Sequence, residues 1–240
     1  MDNPPLVIAA CEPKVVCIGA RMKRVTRRVT LQSYLTLVAL QPLVRRSLDV
    51  ALTAVGLLCL APLFLLVALA IRLESRGPLF FAQERLGEGG RRFKMWKFRT
   101  MVVNADALKD QLTKQHAAAV DGVRFKMVQD PRVTRVGRVL RKFSIDELPQ
   151  LFNVLRGDMT LIGPRPPVWR EVARYDNRAL RRLEVRPGLT CLWQVSGRSD
   201  LSFDQQVALD IEYIDRTQPR DELRILLRTI PAVLTGRGAY

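Results

Sequence analysis

Histidine is almost missing: His116 is the single one in 240 residues. A mechanism built on a histidine base, or a metal site rich in imidazole, is nearly excluded. Cysteine is scarce as well. Cys11, Cys17, Cys59 and Cys191 show no CxxC spacing. They are too few for a disulfide framework or a four-thiolate zinc site, and such usage fits a reducing compartment. Acidic residues are short in number, with 23 Asp+Glu against 39 Lys+Arg, a net charge of +16. That imbalance implies a polyanionic partner: nucleic acid, anionic lipid or a phosphorylated substrate. What is plentiful is apolar content, at 48%. It suffices for a core and excludes disorder throughout.

Residues 1 to about 30 carry little hydrophobic periodicity and are not expected to be a signal peptide, since Leu6–Ala10 is too short an apolar stretch. From Arg21 to Arg46 seven basic residues occur and no acidic one. A solvated arm is the plain reading; its place before an apolar run favours lipid headgroups. That run, Val50 to Ile71, holds 22 residues without a charge, long enough for a membrane segment. Pro62 near its middle predicts a kink or break. Eight Lys/Arg precede the run and eight lie between Arg72 and Arg99, so both flanks suit the cytoplasm. A helix that enters, bends at Ala61-Pro62 and returns satisfies both; a kinked span is the alternative. A polar side chain such as Thr53, or water, is a candidate to satisfy carbonyls freed at the bend.

Beyond the run, short strands are expected at Leu79–Ala82 and Arg92–Arg99, joined by a turn at Gly87, Gly89 and Gly90, with one apolar and one cationic face. A helix is expected over 105–119 and a strand over 122–129. Arg132, Arg135, Arg138 and Arg141 recur every three residues. Nucleic acid suits such a stripe, yet Tyr and Trp do not interleave with it. Two amphipathic helices follow, the second aligning Leu223, Leu226, Ile230 and Leu234 on one face and Arg220, Arg224 and Arg228 on another. Core is the commoner fate of such a helix, and a membrane surface the alternative.

The densest chemistry lies in Arg141–Leu151, where Asp146 and Glu147 follow a row of cations. Ser144 and Glu147 have the spacing of a capping box, although Pro149 suits a helix start nearer Asp146. The functional reading uses the same geometry. Neighbouring cations and a helix N-terminus keep the carboxylates ionised, and an ionised Asp can attack phosphorus. A divalent cation would screen the anions from one another. Gly163-Pro164-Arg165-Pro166-Pro167 holds one Arg rigidly. Gln194 can hydrogen-bond a base or sugar, and Arg198 can hold a phosphate.

The ordered set KFRTM (Lys97–Met101), DPRVTRVGRVLRKFSIDELPQL (Asp130–Leu151), GDMTLIGPRP (Gly157–Pro166) and PGLTCLWQVSGRSD (Pro187–Asp200) resembles the bacterial sugar transferase family, the monotopic polyprenyl-phosphate phosphoglycosyl transferases. The resemblance runs from about Arg45 to Tyr240. It implies transfer of a hexose-1-phosphate, of glucose or galactose type, from a UDP-sugar to undecaprenyl phosphate at the cytoplasmic face of the bacterial inner membrane. UMP is released, and the step opens exopolysaccharide or O-antigen-type assembly. Asp146 matches the nucleophile that carries a covalent phospho-sugar, and Glu147 its partner. Mg2+ is implied at Asp146. Lys97, Arg141 and Arg165 match positions near the phosphates; Arg99, Gln194 and Arg198 complete the candidate substrate-binding set. Cys191 replaces a Gly common in the family, which leaves the local backbone shape open.

The expected fold class is α/β, mostly helical with a small β-hairpin or sheet, in a monotopic membrane protein with a re-entrant N-terminal helix. The expected parts are a basic arm over 1–44, the re-entrant helix over 45–76 and a catalytic domain over 77–240. The expected partners are the UDP-sugar, undecaprenyl phosphate and membrane lipid, not nucleic acid. A homodimer stays open, and a short form without the spanning helices of larger members is expected.

Overall fold

The computed structural model describes residues 13–105, 120–121, 124–125, 130–216 and 218–235. Contacts divide the chain after Leu48, into Met1–Leu48 and Asp49–Tyr240. What is described of the first part is helical. Helix α1 runs over Pro13–Glu74, and within it Leu40–Glu74 is long and apolar enough to cross a membrane. Leu52, Val55, Leu58, Leu65, Leu66, Leu69 and Leu73 are all exposed on it. A soluble core helix would bury that set. The helical assignment continues unbroken through Ala61-Pro62, so the proline does not interrupt it. Of the two candidates for the freed carbonyls, Thr53 is not used: it is buried and its Oγ1 has no hydrogen-bond partner among the described residues.

The last turns of α1 enter the core of the second part. Val67 and Ile71 pack with Phe98 and Leu140, and Ile145 and Leu148 close over them. Strands β1 (Phe80–Leu86) and β2 (Arg92–Phe98) form an antiparallel hairpin, in register from Phe80 opposite Phe98 to Leu86 opposite Arg92. Gly89 and Gly90 take left-handed φ of 63° and 75° in the turn, a region that glycine enters without strain. The expected cationic face of β2 is not solvated throughout. Met95 packs on Val154 and Met159, while Phe98 faces the α1 cluster, because both sides of the strand are covered.

Two minimal strands, β3 (Val120–Asp121) and β4 (Arg124–Phe125), pair antiparallel. Beyond Ala105, the helix expected over 105–119 lies outside the described residues, as does the rest of the strand expected over 122–129. Helix α2 (Arg135–Lys142) starts on Thr134, whose side chain accepts from Gly137 N. The Glu74 carboxylate at the end of α1 accepts from Arg135 N at 2.7 Å and Val136 N at 3.0 Å. One helix terminus thus caps the next. The arginine stripe divides as a result: Arg135 and Arg138 are exposed, whereas Arg132 is buried on Asp130 at 2.6 Å.

Helix α3 (Gln150–Arg156) ends at left-handed Gly157. Its buried Asn153 accepts from Trp96 N and donates to Lys94 O, stitching α3 to the edge of β2. Strands β5 (Thr160–Ile162) and β6 (Gly188–Thr190) pair in parallel. The outward N–H of Leu161 finds the Asp49 carboxylate of α1 at 3.2 Å. Short helices α4 (Trp169–Val172) and α5 (Asn177–Leu180) lead to α6 (Phe203–Arg216) and α7 (Pro219–Thr235). On α7 the face favoured for the core is largely exposed. Ile225 is buried against Ile162 and Tyr213 and Leu226 is partly covered, but Leu223, Leu227, Ile230 and Leu234 stand in the open. The covered side of α7 rests on the Trp193–Val195 turn and on β5 and β6, with Tyr213 of α6 beside Ile225. Mostly helical, with small two-stranded sheets, the fold is of the expected class.

Candidate active site

The turn between α2 and α3 carries the two carboxylates. The capping box does not form. Ser144 is left-handed (φ 54°) with no side-chain cap, Ile145–Glu147 make one 3-10 turn, and Pro149 stands where α3 begins. Ile145 and Leu148 turn into the core, so Asp146 and Glu147 turn the other way. They lie in a cleft of about 1120 Å3. Left-handed φ in a residue other than glycine is uncommon and gathers at functional sites. Among the described residues only Ser144 and Arg198 show it, and both line this cleft.

Lys97 reaches the pair from β2. Its Nζ lies 2.6 Å from Glu147 Oε1 and 3.6 Å from Asp146 Oδ2. Arg165 Nη1 approaches Glu147 Oε1 at 3.8 Å. Arg141, at the end of α2, donates from Nε to Thr100 Oγ1 at 3.0 Å. Burial pushes the Glu147 carboxyl up, but Lys97 and then Arg165 pull harder and hold it at about 2. Asp146 departs from the expectation that cations depress both groups. Burial lifts its pKa, Glu147 adds to the rise, and Lys97 and Arg141 only partly oppose it. The desolvation of a carboxylate at the floor of the cleft outweighs its neighbours' charge.

All eight candidate residues line the cleft: Lys97, Arg99, Arg141, Asp146, Glu147, Arg165, Gln194 and Arg198. Arg99 is tied down there. Its guanidinium donates to Ser75 O, Ser75 Oγ and Arg76 O, closing the end of α1. Gln194 accepts from Cys191 Sγ, and Arg198 Nε donates to Gln194 O. Cys191 is buried and its backbone is not left-handed, so the loop accepts it without strain. Arg85 escaped the sequence reading. It is buried, lines the cleft and donates from Nη1 to Pro166 O at 3.0 Å. Counting the hairpin register would have found it, because Arg85 and Lys97 lie on the same face.

Among the described residues no three Asp, Glu, His or Cys side chains converge as a metal cage. The donor set suits a different arrangement. Mg2+ keeps several waters and takes one or two carboxylates together with substrate phosphate, and Asp146 offers such a carboxylate inside the cleft. Apolar side chains line the same cleft, among them Leu60, Leu63, Phe80, Phe81, Leu226 and Val233, and Phe81 stands opposite Lys97 in the hairpin. A cleft lined by both cations and apolar side chains suits a ligand that carries phosphate and hydrocarbon together.

Comparison with known proteins agrees in kind. Residues 40–236 match the family described as bacterial sugar transferase. The exopolysaccharide production protein ExoY of Sinorhizobium fredii is 46% identical over 198 residues, which cover 82% of this chain and 88% of that protein. The UDP-glucose:undecaprenyl-phosphate glucose-1-phosphate transferase of Caulobacter vibrioides is 45% identical over 204 residues, 82% of this chain and 72% of that one. The undecaprenyl-phosphate galactose phosphotransferase of Salmonella typhimurium is 40% identical over 198 residues, 82% of this chain and 41% of that one. The chain belongs to the bacterial sugar transferase family.

Proposed function

We propose that the chain moves a hexose-1-phosphate from a UDP-sugar to undecaprenyl phosphate at the cytoplasmic face of the membrane, as an opening step of exopolysaccharide or O-antigen-type assembly. The names of its relatives support the substrates. The observation that carries the reading is the buried Asp146 in a cleft that cations and apolar side chains line together.

An Asp146 oxygen attacks the phosphorus that bears the sugar. The bond from that phosphorus to the bridging oxygen breaks, and UMP leaves with its electron pair. An oxygen of undecaprenyl phosphate then attacks the same phosphorus, the acyl-phosphate bond breaks, and the carboxylate returns. Arg165, Arg141 and Arg198 hold phosphate oxygens in this scheme. Lys97, held between the two carboxylates, follows charge as it develops on the leaving group. Glu147 stays ionised and keeps Lys97 in reach. Mg2+, held at Asp146 and by the diphosphate, would supply charge neutralisation.

UMP release across a panel of UDP-sugars, with undecaprenyl phosphate, tests the reading. Release should require the lipid acceptor for repeated turnover, and a radiolabelled sugar-phosphate should remain on the enzyme before acceptor is added. No UMP from any UDP-sugar would refute the activity. Turnover without a trappable adduct would favour direct transfer.

A further inference from the structure

The loop that carries Arg165 contains three prolines and so has few N–H groups of its own, yet each of its carbonyls is gripped. Pro164 O accepts from Gly188 N at 3.0 Å and Pro167 O from Leu86 N at 2.9 Å. Pro166 O accepts from Arg85 Nη1 at 3.0 Å, and Arg165 O from Arg182 Nη2 at 3.3 Å. Two backbone donors and two buried guanidinium groups thus clamp four consecutive residues.

Arg182 is the unexpected member. Its side chain is 1% exposed, its Nε lies 2.8 Å from Asp210 Oδ2, and Asp210 is buried to the same degree. The third arm of the fork donates to Tyr175 Oη at 2.8 Å. Arg182 does not line the cleft. A buried ion pair is often no more stable than apolar residues of the same volume, so stability alone is a poor reason for this one. A planar fork held by Asp210 on one arm can reach a fixed carbonyl with another, which a lysine's point charge cannot do with the same constraint.

We propose that Arg182, oriented by Asp210, is a positioning residue for Arg165: it fixes the Arg165 backbone so that the guanidinium is already aimed at the substrate diphosphate. The inference rests on the reading of Arg165 as a phosphate ligand in sugar-phosphate transfer. A group held in place before binding loses less freedom on binding and keeps the reacting atoms in line.

The test uses the full chain in vesicles, with UMP release from the UDP-sugar turned over best by wild type. Arg182→Lys and the paired Arg182→Met with Asp210→Leu are each made with Arg165 present and with Arg165→Ala. With Arg165 present, each should lose about tenfold to a hundredfold in kcat/KM. In the Arg165→Ala background the same changes should cost less than about twofold, since nothing remains to be aimed. Thermal unfolding separates this from loss of fold, and the Lys variant carries the comparison if the apolar pair does not fold. Wild-type kinetics in the Lys variant, or equal losses in both backgrounds, would overturn the proposal. An Arg165→Ala variant as active as wild type would remove the phosphate-ligand role and the inference with it. Absence of UMP from the wild type would remove the functional reading itself.

Discussion

At the scale of single residues, the two adjacent carboxylates are pushed in opposite directions by their surroundings: Asp146 upward by burial, Glu147 downward by Lys97 and Arg165. In the proposed mechanism, Asp146→Asn preserves the side chain's size and removes the attacking charge. It should abolish UMP release and adduct formation while recovery from membranes and the unfolding midpoint stay near wild type; normal turnover would dismiss Asp146 as nucleophile. Glu147 makes a prediction of another kind. Its carboxyl sits at about 2 in the folded chain against an ordinary 4.5. A group shifted down contributes stability above its unfolded value, and that contribution drains away as pH falls toward the folded one. The unfolding midpoints of wild type and Glu147→Gln should therefore converge as pH falls from about 5 to about 2. A gap that ignored pH would mean that the Lys97 contact does not favour the ionised form.

Between elements, the site is built from contacts that join distant stretches of chain. Gly137 lets α2 seat on the backbone at Thr100, just past β2, because a Cβ there would stand 2.2 Å from Thr100 O, a backbone atom that cannot step aside. Gly137→Ala should cost about 1–3 kcal/mol by overpacking and should disturb Arg141, whose Nε leans on Thr100. Denaturant unfolding measures the first effect and the KM for UDP-sugar the second. Asp49 gives a second case. Asp49→Ala leaves the Leu161 N–H without its acceptor, at a cost of about 1–3 kcal/mol, and hydrogen exchange at Leu161 should speed up accordingly. These contacts also mark the limit of what a sequence can disclose. Asp146, Lys97, Arg141 and Arg165 were legible because cations and carboxylates stand together in long motifs. The hairpin was legible from its glycines and alternation. Arg85 needed the strand register. Asp49 meets a partner 112 residues away, and Arg182 acts on a backbone atom, which no side-chain pattern reports. Pro149 already spoke against a capping box from Ser144, but spacing alone does not reveal that Ser144 turns left-handed.

For the whole molecule, charge and apolar surface point to one solvent boundary. Arg220, Arg224 and Arg228 ride on α7 beside exposed Leu223, Leu227, Ile230 and Leu234. Helices of that composition lie in the plane of an interface. Leu227→Asp together with Ile230→Asp should weaken binding to vesicles rich in anionic lipid severalfold, and raised salt should weaken the wild type further by screening. Co-sedimentation reads both; unchanged binding would return α7 to an ordinary solvated surface. The packing of Val67 and Ile71 with Ile145 and Leu148 has a consequence here. No slack tether lies between the greasy rod and the carboxylate proposed as nucleophile, so the height of one sets the height of the other. A leaflet made thicker or thinner by the length of its acyl chains should raise or sink the nucleophile relative to the acceptor's phosphate, making bilayer thickness a throttle on turnover.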